Sequence, residues 1–97
     1  MNEFVISPSA RRDLWEIADW YEELAPLRAE RLFSALHRQF QILARSPGIG
    51  RPRPELGPGL RSFVVSPYLV FFRQSTRGIE ITRVPHGRRN ITPDMFE

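Results

Sequence analysis

The stretch SPGIGRPRPELGPG (residues 46–59) holds eight of the chain's fifteen prolines and glycines. No helix or central strand tolerates that density, because proline removes a backbone donor and glycine adds conformational entropy. The stretch is therefore an ordered or semi-extended loop, and it separates two halves of different periodicity. It is too short to link two separately folded units. The chain has 97 residues, and most domains hold roughly 100–150, so residues 1–97 are read as a single domain.

Ahead of the loop the pattern is helical. EFVIS (3–7) is short, apolar and β-branched, which predicts a first strand that stops at Ser7-Pro8. Ser7 is then a helix N-cap, with Pro8 at the first helical position, where its missing N–H costs nothing. Ala10, Leu14, Ile17, Ala18, Tyr21, Leu24 and Ala25 form one apolar stripe, opposite Arg12, Glu16, Asp19 and Glu23. Trp15 and Trp20 sit on opposite flanks of that stripe, a position that suits core-edge packing or, alternatively, the rim of a partner groove. Pro26 ends this helix and starts another, whose apolar arc is Ala29, Leu32, Phe33, Leu36, Phe40 and Leu43. With almost no loop between them, the two helices form an antiparallel hairpin. His37, at the edge of the second arc, reads as a packing or surface residue.

Behind the loop the pattern is that of strands. LRSFVV (60–65) closes at Ser66-Pro67, YLVFFRQ (68–74) runs to the turn STRG (75–78), and IEITRV (79–84) runs to Pro85. Such short connections make antiparallel hairpins. TPDMFE at the end has room for one helical turn and is expected to fray. The order β-α-α-β-β-β predicts an α+β fold, with a helix hairpin packed on one face of a small, mostly antiparallel sheet.

Composition removes several classes of chemistry. The chain has no cysteine and two histidines, His37 and His86, so no disulfide or convincing zinc site is expected, and no cofactor. The N-terminus lacks a basic flank before a long apolar run, so it does not read as a secretory signal. The longest apolar run, YLVFF, is far short of the ~20 residues that span a bilayer. A cytoplasmic protein with no membrane partner is the expectation. All fourteen basic residues are arginine, whose rigid fork of donors suits carboxylate or phosphate. Residues 1–50 hold six arginines and seven acids; residues 51–97 hold eight and four. The second half is where an acidic partner would be met.

That asymmetry peaks in RVPHGRRNI (83–91). Metal-independent RNA cleavage there would need a base, an acid and cations on the phosphate. His86 and the arginines supply part of this set. A second proton donor is missing from the neighbourhood in sequence, since Tyr21 and Tyr68 lie on the first helix and the central hairpin. Nucleic-acid binding through Arg83, Arg88 and Arg89 is weakened by a net charge of only +3 and by the lack of a recognition-helix or aromatic–arginine strand motif.

Four stretches carry a resemblance: ISPSARRDLWEIADWYEE, SPGIGRPRPELGPGLRSFVV, YLVFFR and IEITRVPHGRRNI. In that order and spacing they resemble the ParE/RelE superfamily of type II toxins, and within it the ParE branch. The resemblance implies a toxin neutralised by a ParD-like antitoxin, with which it forms a hetero-oligomer, and acting on DNA gyrase. RelE-like relatives instead cut mRNA on the ribosome. They place a phosphate-binding arginine in the central strand, where this chain has Leu69, and a tyrosine or histidine near the C-terminus, where it reads DMFE. Family members commonly read Val-Leu-His-Gly-Arg-Arg-Asp; here Pro85 and Asn90 replace the leucine and the aspartate. Arg83, His86, Arg88, Arg89 and Asn90 are accordingly expected to meet the target, with Gly87 allowing a sharp turn. Trp15, Trp20, Arg61, Arg73 and Arg83 are expected to meet the antitoxin. No residue is assigned a catalytic role.

Overall fold

Ser7 sets where the first strand ends and the first helix begins. In the computed structural model, which describes residues 2–97, its hydroxyl accepts from the Ala10 amide at 3.1 Å and donates to the Thr82 carbonyl at 2.9 Å. One side chain thus caps a helix and pins it to the last strand. The elements are β1 (Glu3–Ile6), α1 (Pro8–Leu24), α2 (Pro26–Arg45), β2 (Arg51–Pro52), β3 (Arg61–Val65), β4 (Tyr68–Ser75) and β5 (Gly78–Arg83). Short 3-10 turns occupy Pro47–Ile49 and Pro93–Phe96.

The sheet order is β1-β5-β4-β3-β2. β3, β4 and β5 form the expected antiparallel meander, and β1 lies parallel to β5, carried there by the helix hairpin. The fold is α+β with both helices on one face, as the sequence predicts. The proline-rich loop holds more order than a simple crossing: Arg51 and Pro52 pair with Ser62 and Arg61 as a two-residue edge strand. Proline is tolerated there because its missing donor faces away from the ladder.

The main core lies between the helices and the sheet. Ala10 and Ile17 of α1 and Leu36, Phe40 and Leu43 of α2 cover Val70, Phe72, Ile79 and Ile81. Leu24, placed on the apolar stripe by periodicity, is instead 64% exposed, because α1 outruns the sheet at the hairpin tip. Trp15 and Trp20 are 73% and 58% exposed, so neither is core-edge packing. The opposite face of the sheet carries a second cluster of Leu56, Leu60 and Phe71, covered by the loop and by Ile91 and Phe96. The terminal turn is held there, with the Phe96 ring tilted at 60° to the Phe71 ring and their centroids 4.9 Å apart.

Gly50 joins these layers. A Cβ at this position would overlap the Phe72 ring, and the Gly50 carbonyl accepts from Arg61 at 2.8 Å. Phe72 is fully buried and has nowhere to move. Overpacking a tight core site typically costs about 1–3 kcal/mol. Gly50→Ala is therefore expected to lose that much stability in urea denaturation, whereas Gly48→Ala, with open space around it, should cost far less.

Candidate functional site

Asp13 lies on the buried side of α1, 8% exposed, one helical turn before Ile17. A carboxylate there is costly unless every lone pair is used. It accepts from Arg83 Nε at 2.7 Å, Arg83 Nη2 at 3.0 Å and the Val84 amide at 2.8 Å. The remaining Arg83 amino group donates to the Met95 carbonyl at 3.2 Å. One guanidinium therefore ties α1, the end of β5 and the terminal turn together. Asp13 beside it holds the Arg83 pKa above even its ordinary value, against the opposing effect of burial. A bulge in β5 prepares this geometry: Phe71 and Phe72 of β4 face Arg83 and Ile81, leaving Thr82 as the extra residue. Bulges re-aim the side chains beside them.

From this junction the chain runs into the His86 loop, which hangs from the β3–β4 turn. The Leu69 amide donates to the Pro85 carbonyl at 2.9 Å, and the Gly87 amide to the Pro67 carbonyl at 2.8 Å. Tyr68 and His86 face each other across this bridge. Gly87 favours close approach rather than an unusual dihedral, since a Cβ would sit 3.1 Å from the Pro67 carbonyl oxygen, tight enough to push the two segments slightly apart. Inside the loop the Arg88 amide donates to His86 Nδ1 at 3.0 Å, leaving Nε2 as the open ring nitrogen.

The structure brings His86, Arg88, Arg89 and Asn90 together on this exposed loop. Arg83 stands apart from them, committed to Asp13 and Met95, so any contact with a partner would start from a guanidinium already paired. Arg61 is likewise engaged, with the Gly50 carbonyl. Arg73 differs, for its Nε is buried and has no partner among the described residues. The two tryptophans rim separate grooves on either side of α1. Trp15 lies with Ile6, Leu14 and Phe33 along one of about 380 Å³, and Trp20 beside another of about 430 Å³.

The second groove overturns one sequence expectation. Tyr21 and Tyr68, distant along the chain, line the same cleft as His86. The Tyr68 and His86 rings meet edge to face at 5.4 Å. Burial and then a hydrogen bond with Tyr21 push the Tyr68 phenol up to about 12. It keeps its proton at neutral pH and is suited to hydrogen bonding, whereas proton shuttling favours groups titrating near the working pH. The sequence hid this cluster because it forms only when α1 crosses the β4–β5 hairpin. Asp13 was also missed, although an acid on the apolar stripe is a usable signal that a cation must reach it.

Comparison with known proteins now decides the family. A sequence profile described as the ParE toxin of the type II toxin-antitoxin system parDE matches residues 4–91. This chain belongs to the ParE toxin family. It is 34% identical to Toxin ParE3 of Caulobacter vibrioides over 73 residues, which span 75% of this chain and 69% of that protein. It also matches a solved chain of the chromosomal ParDE system from P. aeruginosa at a TM-score of 0.73 and 27% identity, covering 89% of this chain and 96% of the other. The Asp13–Arg83 junction and the His86 loop both fall within the matched residues of this ParE-family chain. No helix among the described residues is long and apolar enough to cross a membrane.

Removing one member of a buried ion pair strands the other and costs about 3–5 kcal/mol. Asp13→Ala is expected to destabilise at the lower end of that range, because Arg83 keeps 15% side-chain exposure. The double variant Asp13→Leu with Arg83→Met should recover much of the loss. Urea melts of the native chain, Asp13→Leu, Arg83→Met and the double variant, compared as a double-mutant cycle, measure the coupling.

Proposed function

We propose that this chain is the toxic component of a type II toxin–antitoxin pair, that it inhibits growth by poisoning DNA gyrase, and that a ParD-like antitoxin neutralises it. The observation that carries this reading is the His86 loop. It is exposed yet braced through the backbones of Val84, Pro85 and Gly87, and it offers Arg88 and Arg89, which make no ion pair among the described residues. A braced backbone carrying two guanidinium forks suits docking on an acidic protein surface, since the loop itself has little ordering entropy left to lose. In this reading Arg83 braces the loop while His86, Arg88, Arg89 and Asn90 meet the target. A role in growth control under stress, in the cytoplasm, follows from the same reading.

The antitoxin belongs elsewhere on the surface. Among the described residues β2 covers only Arg61 and Ser62, so the outer edge of β3 from Phe63 to Val65 lacks a strand partner there, and Val64 is 62% exposed. An acidic antitoxin tail that adds a strand there would meet the sheet that carries Arg61 and Arg73, and one that lays a helix into the groove beside Trp15 would stay clear of the His86 loop. The likeness to a chain of a ParDE system supports a partner of this kind.

A second reading, ribosome-dependent mRNA cleavage, draws on the meeting of His86, Tyr21 and Tyr68 in one cleft. The tightly held Tyr68 proton and the apolar Leu69 in the central strand weigh against it.

The two readings and the role of the loop separate in one set of experiments. Exposed substitutions usually change stability by less than about 0.5 kcal/mol, whereas truncating a charged interface contact costs about 2–5 kcal/mol of affinity. Arg88→Ala with Arg89→Ala should therefore abolish growth inhibition with the melting temperature unchanged and antitoxin binding intact. Induction of the native protein should give DNA damage and filamentation with transcripts whole. Full toxicity in the folded double variant would remove the loop from the account. Early codon-phased transcript cleavage that His86→Gln slows by about 10²–10⁴-fold would favour the nuclease instead.

A further inference from the structure

The cleft beneath the His86 loop has a composition that protein docking does not explain. Its volume of about 430 Å³ falls within the ~300–1,000 Å³ of small-molecule sites. Aromatic groups converge on it from three elements: Trp20 and Tyr21 from α1, Tyr68 from β4 and His86 from the loop. Trp20 and Tyr21 meet edge to face at 4.9 Å, and Tyr68 and His86 do the same at 5.4 Å. Trp20 leaves 58% of its surface to solvent, so a planar ring has an indole on which to lie.

Polar groups are set among these rings. Tyr21, Tyr68, His86, Glu16 and Arg89 all line the space, beside Asp13, which is already paired with Arg83. Glu16 and Arg89 make no ion pair among the described residues. An aliphatic side chain would bury these groups without partners, at a cost. A bare anion would leave the aromatic walls uncovered and would face Glu16. A flat heteroaromatic ring joined to hydroxyls and a phosphate uses every group present.

We propose that this cleft binds a nucleotide, with the base against Trp20 and the edges of Tyr68 and His86, the sugar hydroxyls on Glu16, and the phosphate on Arg89. Stacking on aromatic faces tolerates any base, so selectivity among bases is weak. The Tyr68 phenol is engaged by Tyr21, and this pair of hydroxyls borders the base edge. The site shares His86 and Arg89 with the surface proposed for the target, but it rests on the geometry of the cleft and does not require that gyrase be that target.

Trp15 and Trp20 are the two tryptophans of the chain, so Trp15→Phe leaves Trp20 as a reporter inside the cleft. Purified Trp15→Phe protein is titrated with ATP, AMP, a short single-stranded DNA oligonucleotide and inorganic pyrophosphate. Saturable change in Trp20 fluorescence is expected with a Kd between roughly 1 µM and 1 mM. In calorimetry on the otherwise native chain, Trp20→Ala should weaken binding about 5- to 150-fold, the loss that base–aromatic stacking supplies. Arg89→Ala should weaken it and flatten its salt dependence. Binding of ATP and AMP as tight as that of the oligonucleotide identifies a free nucleotide as the ligand. Saturation by the oligonucleotide alone identifies one unpaired nucleotide of a strand. The proposal is overturned if neither the nucleotides nor the oligonucleotide saturate the signal by about 10 mM, if pyrophosphate competes as well as ATP, or if Trp20→Ala binds as tightly as the native chain. Trp20 is exposed, so these variants keep their fold, and matched melting curves verify it. Because binding is read on the purified chain, the result is independent of the growth-inhibition target.

Discussion

A carboxylate on the inward side of a helix is the constraint around which this molecule is arranged. Asp13 cannot be buried alone, and its neutralisation requires Arg83 to leave the plane of the sheet at the end of β5. The bulge at Thr82 accommodates that departure. Once Arg83 is in place, Val84 is fixed by the same carboxylate and the terminal turn by the same guanidinium. The segment that follows has no freedom to wander before it meets the β3–β4 turn. Buried ion pairs contribute little net stability compared with apolar replacements. This one is better understood as setting the position of a loop than as holding the fold together.

Stability comes from elsewhere. Phe71 and Phe72, adjacent on β4, point to opposite faces and anchor two separate clusters. The helix hairpin covers one face. The proline-rich loop and the last residues cover the other, where Arg53 lies 5.5 Å over the Phe71 ring and bonds Glu55 and Ser62. Sandwiching the sheet in this way lets a small chain bury both sides of its central strand. It also leaves α1 free to present Trp15 and Trp20 on opposite flanks, away from either cluster.

Much of this arrangement was legible in the sequence. Ser7-Pro8 and Pro26 marked the helix starts, and the hairpins followed from short turns between β-branched runs. These signals are local, and local chemistry determined the outcome. What stayed hidden depends on contacts between distant residues. The parallel seat of β1 beside β5 depends on where the hairpin crosses the sheet. The edge strand at Arg51–Pro52 exists only because β3 lies alongside it. The site divides in the same way. His86, Arg88, Arg89 and Asn90 are consecutive or nearly so, and were found together. Asp13, Tyr21 and Tyr68 join them only through tertiary packing, and Gly87 proved to serve close approach to Pro67.

The central claim is that Asp13 and Arg83 hold the His86 loop and the terminal turn in place without carrying the core. Residue-resolved amide hydrogen exchange on Arg83→Gln tests it most directly, because exchange separates local opening from global unfolding. The account predicts that Val84, Gly87, Arg88, Arg89 and Met95 lose most of their protection, while Val70, Phe72 and Ile79 keep theirs relative to the variant's own global stability. Protection falling equally in both groups would mean the ion pair is a global staple. Unchanged protection in the loop would mean that the loop is positioned without it. Either result would contradict the account.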